Sequence, residues 1–455
     1  MVRIPLEQAR PLARHVLLGL GACAVVLVSG MAVALTYTGA EPALRSVGIT
    51  LQHLRGVHEA AAFGWMFIGG AALVYLYLFS EYGSPTAAET RRLTAHVALW
   101  GSAGLGIVIT LLAGRFTGRE YAPYHPVFSL MIVAGWVLFA WNVLGRTRGR
   151  LLGMPVYVYM WTVSLFLFVI TYAEAHLYLT DWLAHRPIRD LQIQWRSNGT
   201  MVGAFNQLIY GGLMYVGCRM AGDEDYPRSG LAWALFCVGV INTFTNYGHH
   251  TFHLPQSAWV HWVAFLVSMA EVVILAKVCV DILGMLARPR FAHGLEVPDA
   301  FLRSTTFWLF ALLAMALVIS VPPVNALIHG THVVVAHSMA SMIGIDSMIL
   351  WLGVSYAVYV LFGAEHPVVA SGAVRRAIVL INLMLGVFWI AFIVHGLAVG
   401  WSRYASPSSL DLSLVFKWFP VVMAGSGFVL ALAILWMIAV WWRALWGVAV
   451  GTRGT

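Results

Sequence analysis

The sequence predicts an all-α membrane protein of about twelve transmembrane helices. Of its 455 residues, 60% are hydrophobic and only 10% are charged, and the mean hydropathy is +0.80. This composition fits lipid rather than water as the surrounding solvent. Apolar runs of about 20 residues, the length that crosses a bilayer, recur along the whole chain. Arginine-rich connections separate these runs and account for much of the formal net charge of +8.

The apolar runs form one continuous series. No soluble segment, low-complexity tract or clear repeat interrupts it, so we expect residues 1–455 to form a single polytopic membrane domain. The twelve runs begin near Val16, Ala60, Leu93, Pro126, Val156, Gly199, Gly230, Gln256, Thr305, Val333, Val374 and Leu414.

The arginines set the expected orientation. Twelve spans put both termini on one side of the membrane, and basic connections are retained in the cytoplasm. We therefore expect both termini to be cytoplasmic, in the inner membrane of a bacterium. The arginines are dispersed between apolar runs, which makes nucleic acid an unexpected partner. Those on the predicted cytoplasmic side are Arg91, Arg92, Arg146, Arg148, Arg150, Arg219, Arg228, Arg288, Arg290, Arg303, Arg375 and Arg376.

Histidines are concentrated on the opposite, outer side. His249 and His250 are adjacent in the string NYGHHTFHLP, at the outer end of the seventh run. Neighbouring side chains leave a helix about 100° apart, yet both imidazoles can reach one metal ion where the helix frays into a loop. The alternative is a pair of interfacial histidines bonded to water and carbonyl groups.

His337 and Met339, in the tenth run, are candidate haem ligands. Residues i and i+2 of a helix project in nearly opposite directions, so the two side chains could ligate haems on either side of it. Imidazole and thioether are both axial haem ligands, although a methionine in an apolar helix is also a packing residue. His58, at the outer end of the second run, would supply an imidazole at the same depth.

Three strings carry a resemblance to one family. They are the GHH of 248–250 followed by Trp259, Trp262, Ser268 and Glu271, the HGTHVVVAH of 329–337, and the GREY of 118–121. Together they resemble the catalytic subunit of the respiratory nitric oxide reductases, a branch of the haem-copper oxidase superfamily. The resemblance implies a subunit I-like helical bundle.

The resemblance also implies two haems b and one non-haem metal. His337 would be the axial ligand of the high-spin, catalytic haem. His58 would bind the low-spin haem, whose sixth ligand would be Met339. His249 and His250 would hold the non-haem metal, with iron preferred to copper.

Further implied roles lie around these cofactors. Arg119 would pair with haem propionates, and Glu120 is a candidate ligand of a calcium ion, which prefers carboxylate oxygens. The implied substrate is nitric oxide, and the implied electron donor is a periplasmic or membrane-anchored cytochrome c subunit.

The sequence departs from the family's pattern near the metal. Asn198 stands where the family has its first metal-binding histidine, Val202 and Asn206 replace two acidic residues, and Met339 replaces a haem-binding histidine. An amide oxygen is a weaker donor than imidazole, so we expect the metal to be held less tightly. A haem with His and Met ligands should have a higher reduction potential than one with two histidines.

Acidic residues inside the apolar runs are the expected proton carriers, because an ionised carboxylate is costly at that depth. Glu271, which matches a family glutamate, is the preferred residue for proton delivery, and Asp346 is a second candidate. Lys277 and Asp281, at i and i+4, are more simply a structural ion pair.

The predicted activity is reduction of nitric oxide to nitrous oxide. Two alternatives remain open: disproportionation of nitric oxide to N2 and O2, which the asparagine at 198 suggests, and a non-catalytic haem subunit that relays electrons or senses nitric oxide. An oxygen reductase fits less well, because no HPEVY-like string is present and Thr243 occupies the place of a redox-active tyrosine.

Overall fold

The computed structural model describes residues 4–119, 122–149, 152–251, 256–287, 294–319, 321–404 and 411–451. These residues are helical and contain no strand. Twelve long helices follow one another: α1 (Leu6–Thr36), α2 (Leu51–Tyr82), α3 (Ala87–Leu112), α4 (Pro126–Thr147), α5 (Val156–Ala175), α6 (Pro187–Ala221), α7 (Gly230–Thr245), α8 (Ala258–Leu286), α9 (Glu296–Ile319), α10 (His332–Phe362), α11 (Gly372–Ser402) and α12 (Ser413–Val450).

Each of the twelve predicted runs corresponds to one of these helices. Ten are long and apolar enough to span a membrane. The other two are α6, which carries Arg189, Asp190 and Arg196 in its first three turns, and α7, which has 16 residues and continues as the 3-10 turn Asn246–His250. The all-α membrane fold is therefore confirmed, with twelve as an approximate number of spans.

Both ends of the described chain lie at the same end of the bundle. Arg14, near the start of α1, donates from Nε to the carbonyl oxygen of Ala449, near the end of α12, at 3.0 Å. We call this the inner end, and the opposite one the outer end. Odd-numbered helices run from the inner to the outer end, and even-numbered helices run back. The predicted Lys277–Asp281 ion pair is present on α8, towards the inner end.

The bundle surface is apolar, as a lipid-facing surface requires. Tryptophan side chains fill the interior, where Trp136, Trp161, Trp308, Trp351 and Trp441 are almost completely buried. Large apolar side chains such as Leu105, Leu130, Ile241, Leu383 and Trp436 are instead more than half exposed.

Two glycines bring α6 into direct contact with α7. A Cβ atom on Gly203 would lie 2.7 Å from Cβ and 2.8 Å from Cα of Thr243. A Cβ atom on Gly199 would lie 2.5 Å from Oδ1 of Asn246. The two contacts lie about one helical turn apart along each helix, and together they fix the antiparallel register of α6 and α7. Because small residues let helix backbones approach closely, α6 and α7 are locked together at the outer end.

This packing predicts a stability difference between two glycine substitutions. We expect Gly203→Ala to destabilise the protein by about 1–3 kcal/mol, because the added methyl group overlaps the backbone of Thr243. Gly386→Ala, within α11, meets open space and should leave stability equal or higher, since Ala favours a helix over Gly by about 1 kcal/mol. Thermal unfolding in one detergent compares them. Equal midpoints for the two variants would show that the contact is not tight.

Candidate functional site

The GHH segment is held at the outer end from two sides. Asn246 Nδ2 donates to the carbonyl oxygen of Gly199 on α6 at 2.9 Å. From α8, His261 Nδ1 donates to the carbonyl oxygen of Gly248 at 2.7 Å. The backbone of the adjacent pair 249–250 therefore has a fixed position between α6 and α8. The side chains of His249 and His250 lie outside what the structure describes.

Asn198 lies beside this turn. Its neighbour Gly199 contacts the turn, with Cβ of Tyr247 3.1 Å from the position of a Gly199 Cβ atom. The Asn198 Nδ2 atom is buried and has no hydrogen-bond partner among the described residues. A half-turn about χ2 exchanges the amide oxygen and nitrogen, so either atom can occupy the buried position. The role of Asn198 at a metal stays a prediction.

His58 is oriented by α1. Its Nδ1 atom donates to the carbonyl oxygen of Val26 at 3.0 Å, which leaves the lone pair on Nε2, as in haem-binding and metal-binding histidines generally. The ring also lies against Gly30, where a Cβ atom would be 3.1 Å from Cε1 of His58. The imidazole therefore has one defined tautomer and one defined orientation.

Contacts between α2 and α10 set the depth of the expected haem ligands. Trp65 Nε1 donates to Ser347 Oγ at 3.0 Å, and the two helices run in the same direction. His58 lies seven residues outward from Trp65, and Met339 lies eight residues outward from Ser347. Each distance corresponds to about 10 Å along its helix, so His58 and Met339 lie at similar depth.

Two other histidines that could compete for a haem already have local partners. His332 Nδ1 lies 2.8 Å from Nδ1 of His395. His53 Nδ1 accepts a hydrogen bond from the backbone of Thr50, which it caps, at 3.1 Å. In contrast, His337 Nδ1 is buried without a hydrogen-bond partner among the described residues.

Glu271 lies inward from the turn, in a group of polar side chains. Its Oε2 atom accepts a hydrogen bond from Asn242 Nδ2 on α7, and Ser268 Oγ donates to Asn242 Oδ1 at 2.8 Å. A Cβ atom on Gly239 would overlap Gln207 Nε2 and would lie 2.9 Å from Glu271 Oε1. Because Asn242 is seven residues before position 249, Glu271 lies about 10 Å inward from the histidine pair. That depth suits a proton carrier rather than a metal ligand.

Arg119 forms an ion pair that the sequence analysis missed. Its Nη1 and Nη2 atoms donate to Asp190 on α6 at 2.7 and 2.5 Å, and Nη1 also donates to Gln194 at 3.2 Å. The guanidinium lies 4.1 Å from the centroid of the Tyr178 ring. This geometry ties the outer end of α6 to the loop after α3. Glu120, the predicted calcium ligand, lies outside the described residues.

A family model described as "Cytochrome C and Quinol oxidase polypeptide I" matches residues 10–445. The chain belongs to this family. Membership places the protein in the haem-copper oxidase superfamily, as the sequence analysis expected, and identifies it as a multi-pass membrane protein of respiratory redox chemistry.

The fold has a close counterpart among solved structures. One similar chain belongs to a structure described as "Cryo-EM structure of a heme-copper terminal oxidase dimer provides insights into its catalytic mechanism". It has a TM-score of 0.71 and 15% sequence identity, over 99% of this chain and 84% of that chain. At this identity the similarity concerns the fold. A search of curated proteins found no match.

Other polar residues of this subunit I-type bundle had only a weak signal in the sequence. Gln207 and Asn242 are polar residues inside apolar runs, which marks them as unusual. Gln207 and Asn242 come together at Glu271 because of the α6–α7 register, which the sequence alone did not show. Asp190 had no such signal, because it is 71 residues from Arg119.

The ion pair with Asp190 predicts that Arg119 stabilises the fold. Its side chain is 13% exposed and that of Asp190 is 27% exposed, so we expect Asp190→Asn to destabilise the protein by about 1–2 kcal/mol, between the values for exposed and fully buried pairs. Thermal unfolding of Arg119→Gln, Asp190→Asn and the double variant measures the coupling between the two side chains.

The haem content of the Asp190 and Arg119 variants separates a structural role of the ion pair from a haem-binding role of Arg119. Asp190→Asn should keep the haem content of the unmodified protein. A stable Asp190→Asn protein together with an Arg119→Gln protein that loses haem would contradict the ion-pair role and would favour pairing of Arg119 with propionates.

Proposed function

We propose that this haem-copper oxidase superfamily member reduces nitric oxide, with two NO, two electrons and two protons giving N2O and H2O. The observation that carries the proposal is the α6–α7 register. It puts Asn198 beside the paired histidines of the GHH segment and puts a buried carboxyl group, that of Glu271, inward from them. The site would lie at the outer end, which is the periplasmic side in the predicted orientation of a bacterial inner-membrane protein.

The described residues fit the two haems b that the family resemblance implies. His337 would hold the high-spin haem, as the family resemblance implies, and its Nδ1 atom has no hydrogen-bond partner among the described residues. His58 and Met339 would hold the low-spin haem from α2 and α10, at similar depth. When bound, these groups would supply electrons to nitric oxide. The chain's own part is to set their depth near the outer end, so that electrons from a cytochrome c donor need not cross the bilayer.

The non-haem metal would be held by His249 and His250, with Asn198 at the edge of the site. Two imidazoles and an amide oxygen carry no negative charge, so such a site favours a reduced metal of low charge. The preference for iron over copper is what the family resemblance implies. No group of three or more His, Cys, Asp or Glu that could hold a metal converges among the described residues. The site would therefore depend on the histidine pair.

Glu271 would deliver protons. It is almost completely buried, and its only charge-stabilising contact among the described residues is the amide of Asn242. A carboxyl group in that environment can accept a proton and release it outward. The position about 10 Å inward from the histidine pair would require a short relay of hydrogen-bonding groups.

Oxygen reduction is a second candidate because of Tyr247. Tyr247 belongs to the same turn as the two histidines, and its Cβ atom and backbone nitrogen lie against Gly199, next to Asn198. The expected position of a redox-active tyrosine in α7 is occupied by Thr243, which is completely buried against Gly203. Tyr247 is therefore the phenol that could supply an electron and a proton for cleavage of O2.

Haem ligation can be tested without turnover. We expect the purified protein to contain two haems b by pyridine haemochrome analysis, and near-infrared magnetic circular dichroism should show a sulfur-ligated low-spin haem. Met339→Leu should abolish that sulfur signal, and Met339→His should replace it with a two-imidazole signal at lower potential. Met348→Leu, inward on the same helix, is the control. An unchanged two-imidazole spectrum in Met339→Leu would exclude Met339.

Metal analysis combined with anaerobic turnover tests the function. We expect one non-haem metal ion, lost together with nitric oxide consumption in His249→Ala and in His250→Ala, and held more tightly in Asn198→His. His261→Ala, which alters the turn but leaves both candidate ligands, should weaken the metal without abolishing it.

The products separate the competing functions. N2O indicates reduction of nitric oxide, N2 with O2 indicates disproportionation, and consumption of O2 that is lost in Tyr247→Phe indicates oxygen reduction. A protein with two haems, no third metal and no turnover of either gas would be an electron relay or a sensor.

A further inference from the structure

A groove of about 410 Å³ lies on the bundle surface between α11 and α12. The buried residues Ala377 and Ala433 form its floor, and the exposed side chains of Leu380, Leu432 and Trp436 form its walls. Small residues along the floor and large ones along the rim give a slot that follows the two helices. Such a slot suits a long, narrow apolar molecule.

One charged side chain, that of Arg376, also lines this groove. Its Nη1 atom lies 3.9 Å from the position of a Cβ atom on Gly372, at the start of α11. The guanidinium is therefore turned back towards the inner end. This is the arrangement in which an arginine packs its apolar stem along a lipid-facing surface and keeps its charge at the polar boundary.

A second arginine lies on the groove side of α12. Arg443 is exposed and lies seven residues beyond Trp436, and a step of seven residues returns a side chain to the same face of a helix. Neither α11 nor α12 contains an aspartate or a glutamate. No acid on the two helices of the groove therefore neutralises Arg376 or Arg443.

The two positive charges lie at the same depth. A Cβ atom on Gly427 of α12 would lie 3.1 Å from Cε2 of Phe388 on α11, so positions 427 and 388 are level. Sixteen residues further inward on each helix lie positions 443 and 372. Arg443 is therefore level with the start of α11, towards which the guanidinium of Arg376 is turned.

We propose that this groove binds an anionic phospholipid from the leaflet at the inner end, with its phosphate on Arg376 and Arg443. Guanidinium groups bind phosphate oxygens through paired N–H donors. A zwitterionic lipid would bring an ammonium group next to two arginines, so a lipid with a net negative charge fits better. The apolar slot outward from the arginines would hold one acyl chain.

The depth of the groove agrees with an acyl chain of one leaflet. Trp436 and Leu432 lie seven and eleven residues outward from Arg443, which corresponds to about 10 and 16 Å along the helix. The hydrocarbon layer of one leaflet is about 15 Å deep, half of the bilayer core. A lipid whose phosphate is bound by the arginines therefore has its acyl chain beside both side chains.

Native mass spectrometry of the purified, haem-loaded protein tests the proposal with phosphatidylglycerol and phosphatidylcholine of identical acyl chains. We expect the unmodified protein to retain phosphatidylglycerol in preference. Arg376→Gln and Arg443→Gln should each weaken that retention about fivefold, the effect of one basic residue near an anionic lipid surface. Retention of phosphatidylcholine should not change.

Two matched controls separate the groove from general effects. The double variant Arg91→Gln and Arg148→Gln removes two exposed arginines at the inner end of other helices and should leave lipid retention unchanged. Leu432→Ala should weaken retention of phosphatidylglycerol because the acyl chain loses a wall, whereas Leu105→Ala, at an exposed position of α3, should not.

Several results would overturn the proposal. Equal retention of the two lipids, or an equal loss in the Arg91 and Arg148 double variant, would reduce the effect to overall charge. Displacement of the lipid by inorganic phosphate alone would indicate a site for free anions. A dimer that dissociates in the groove variants without any dependence on lipid would show that protein covers the groove. The measurement needs no electron donor and no gas turnover, so its result is independent of the proposed function.

Discussion

The glycine contacts between α6 and α7 are the constraint on which the rest of the site depends. Gly199 and Gly203 leave no space for a side chain between the helices, so the register cannot slip by even one residue without a clash. That register sets Asn198 beside the GHH turn and brings Gln207 and Asn242 to Glu271. The position of Asn198 near the GHH turn and the position of Glu271 inward from it therefore follow from one packing contact, made by residues that carry no reactive group.

The second governing factor is the low dielectric of the bundle interior. Polar groups there persist only when they are hydrogen-bonded, bound to a metal or used in chemistry. His58, with its Nδ1 hydrogen bond to α1, has been oriented for a ligand at Nε2. His337 and Asn198 instead retain buried atoms that have no hydrogen-bond partner among the described residues. A ligand or a bound ion is one way in which such atoms are balanced.

The sequence predicted the fold well because each span is encoded locally. An apolar run of about 20 residues has few alternatives to a membrane helix, and all twelve runs were found. The starts were less accurate: α6 begins at Pro187 rather than near Gly199, because its polar first turns pack on protein through Asp190 and Arg119. Contacts between distant residues left no local pattern, so the Arg119–Asp190 pair and the meeting of Glu271 with Asn242 could not be predicted. The assigned roles of His58, His337 and Met339 stay predictions.

A cryo-electron-microscopy map of the purified protein tests the central claim most directly. The account predicts non-haem metal density bound by the imidazoles of His249 and His250, with the Asn198 side chain at its edge and Glu271 inward, apart from the ion. An ion with Glu271 as a direct ligand, or an empty site with Asn198 turned away from the histidine pair, would contradict it.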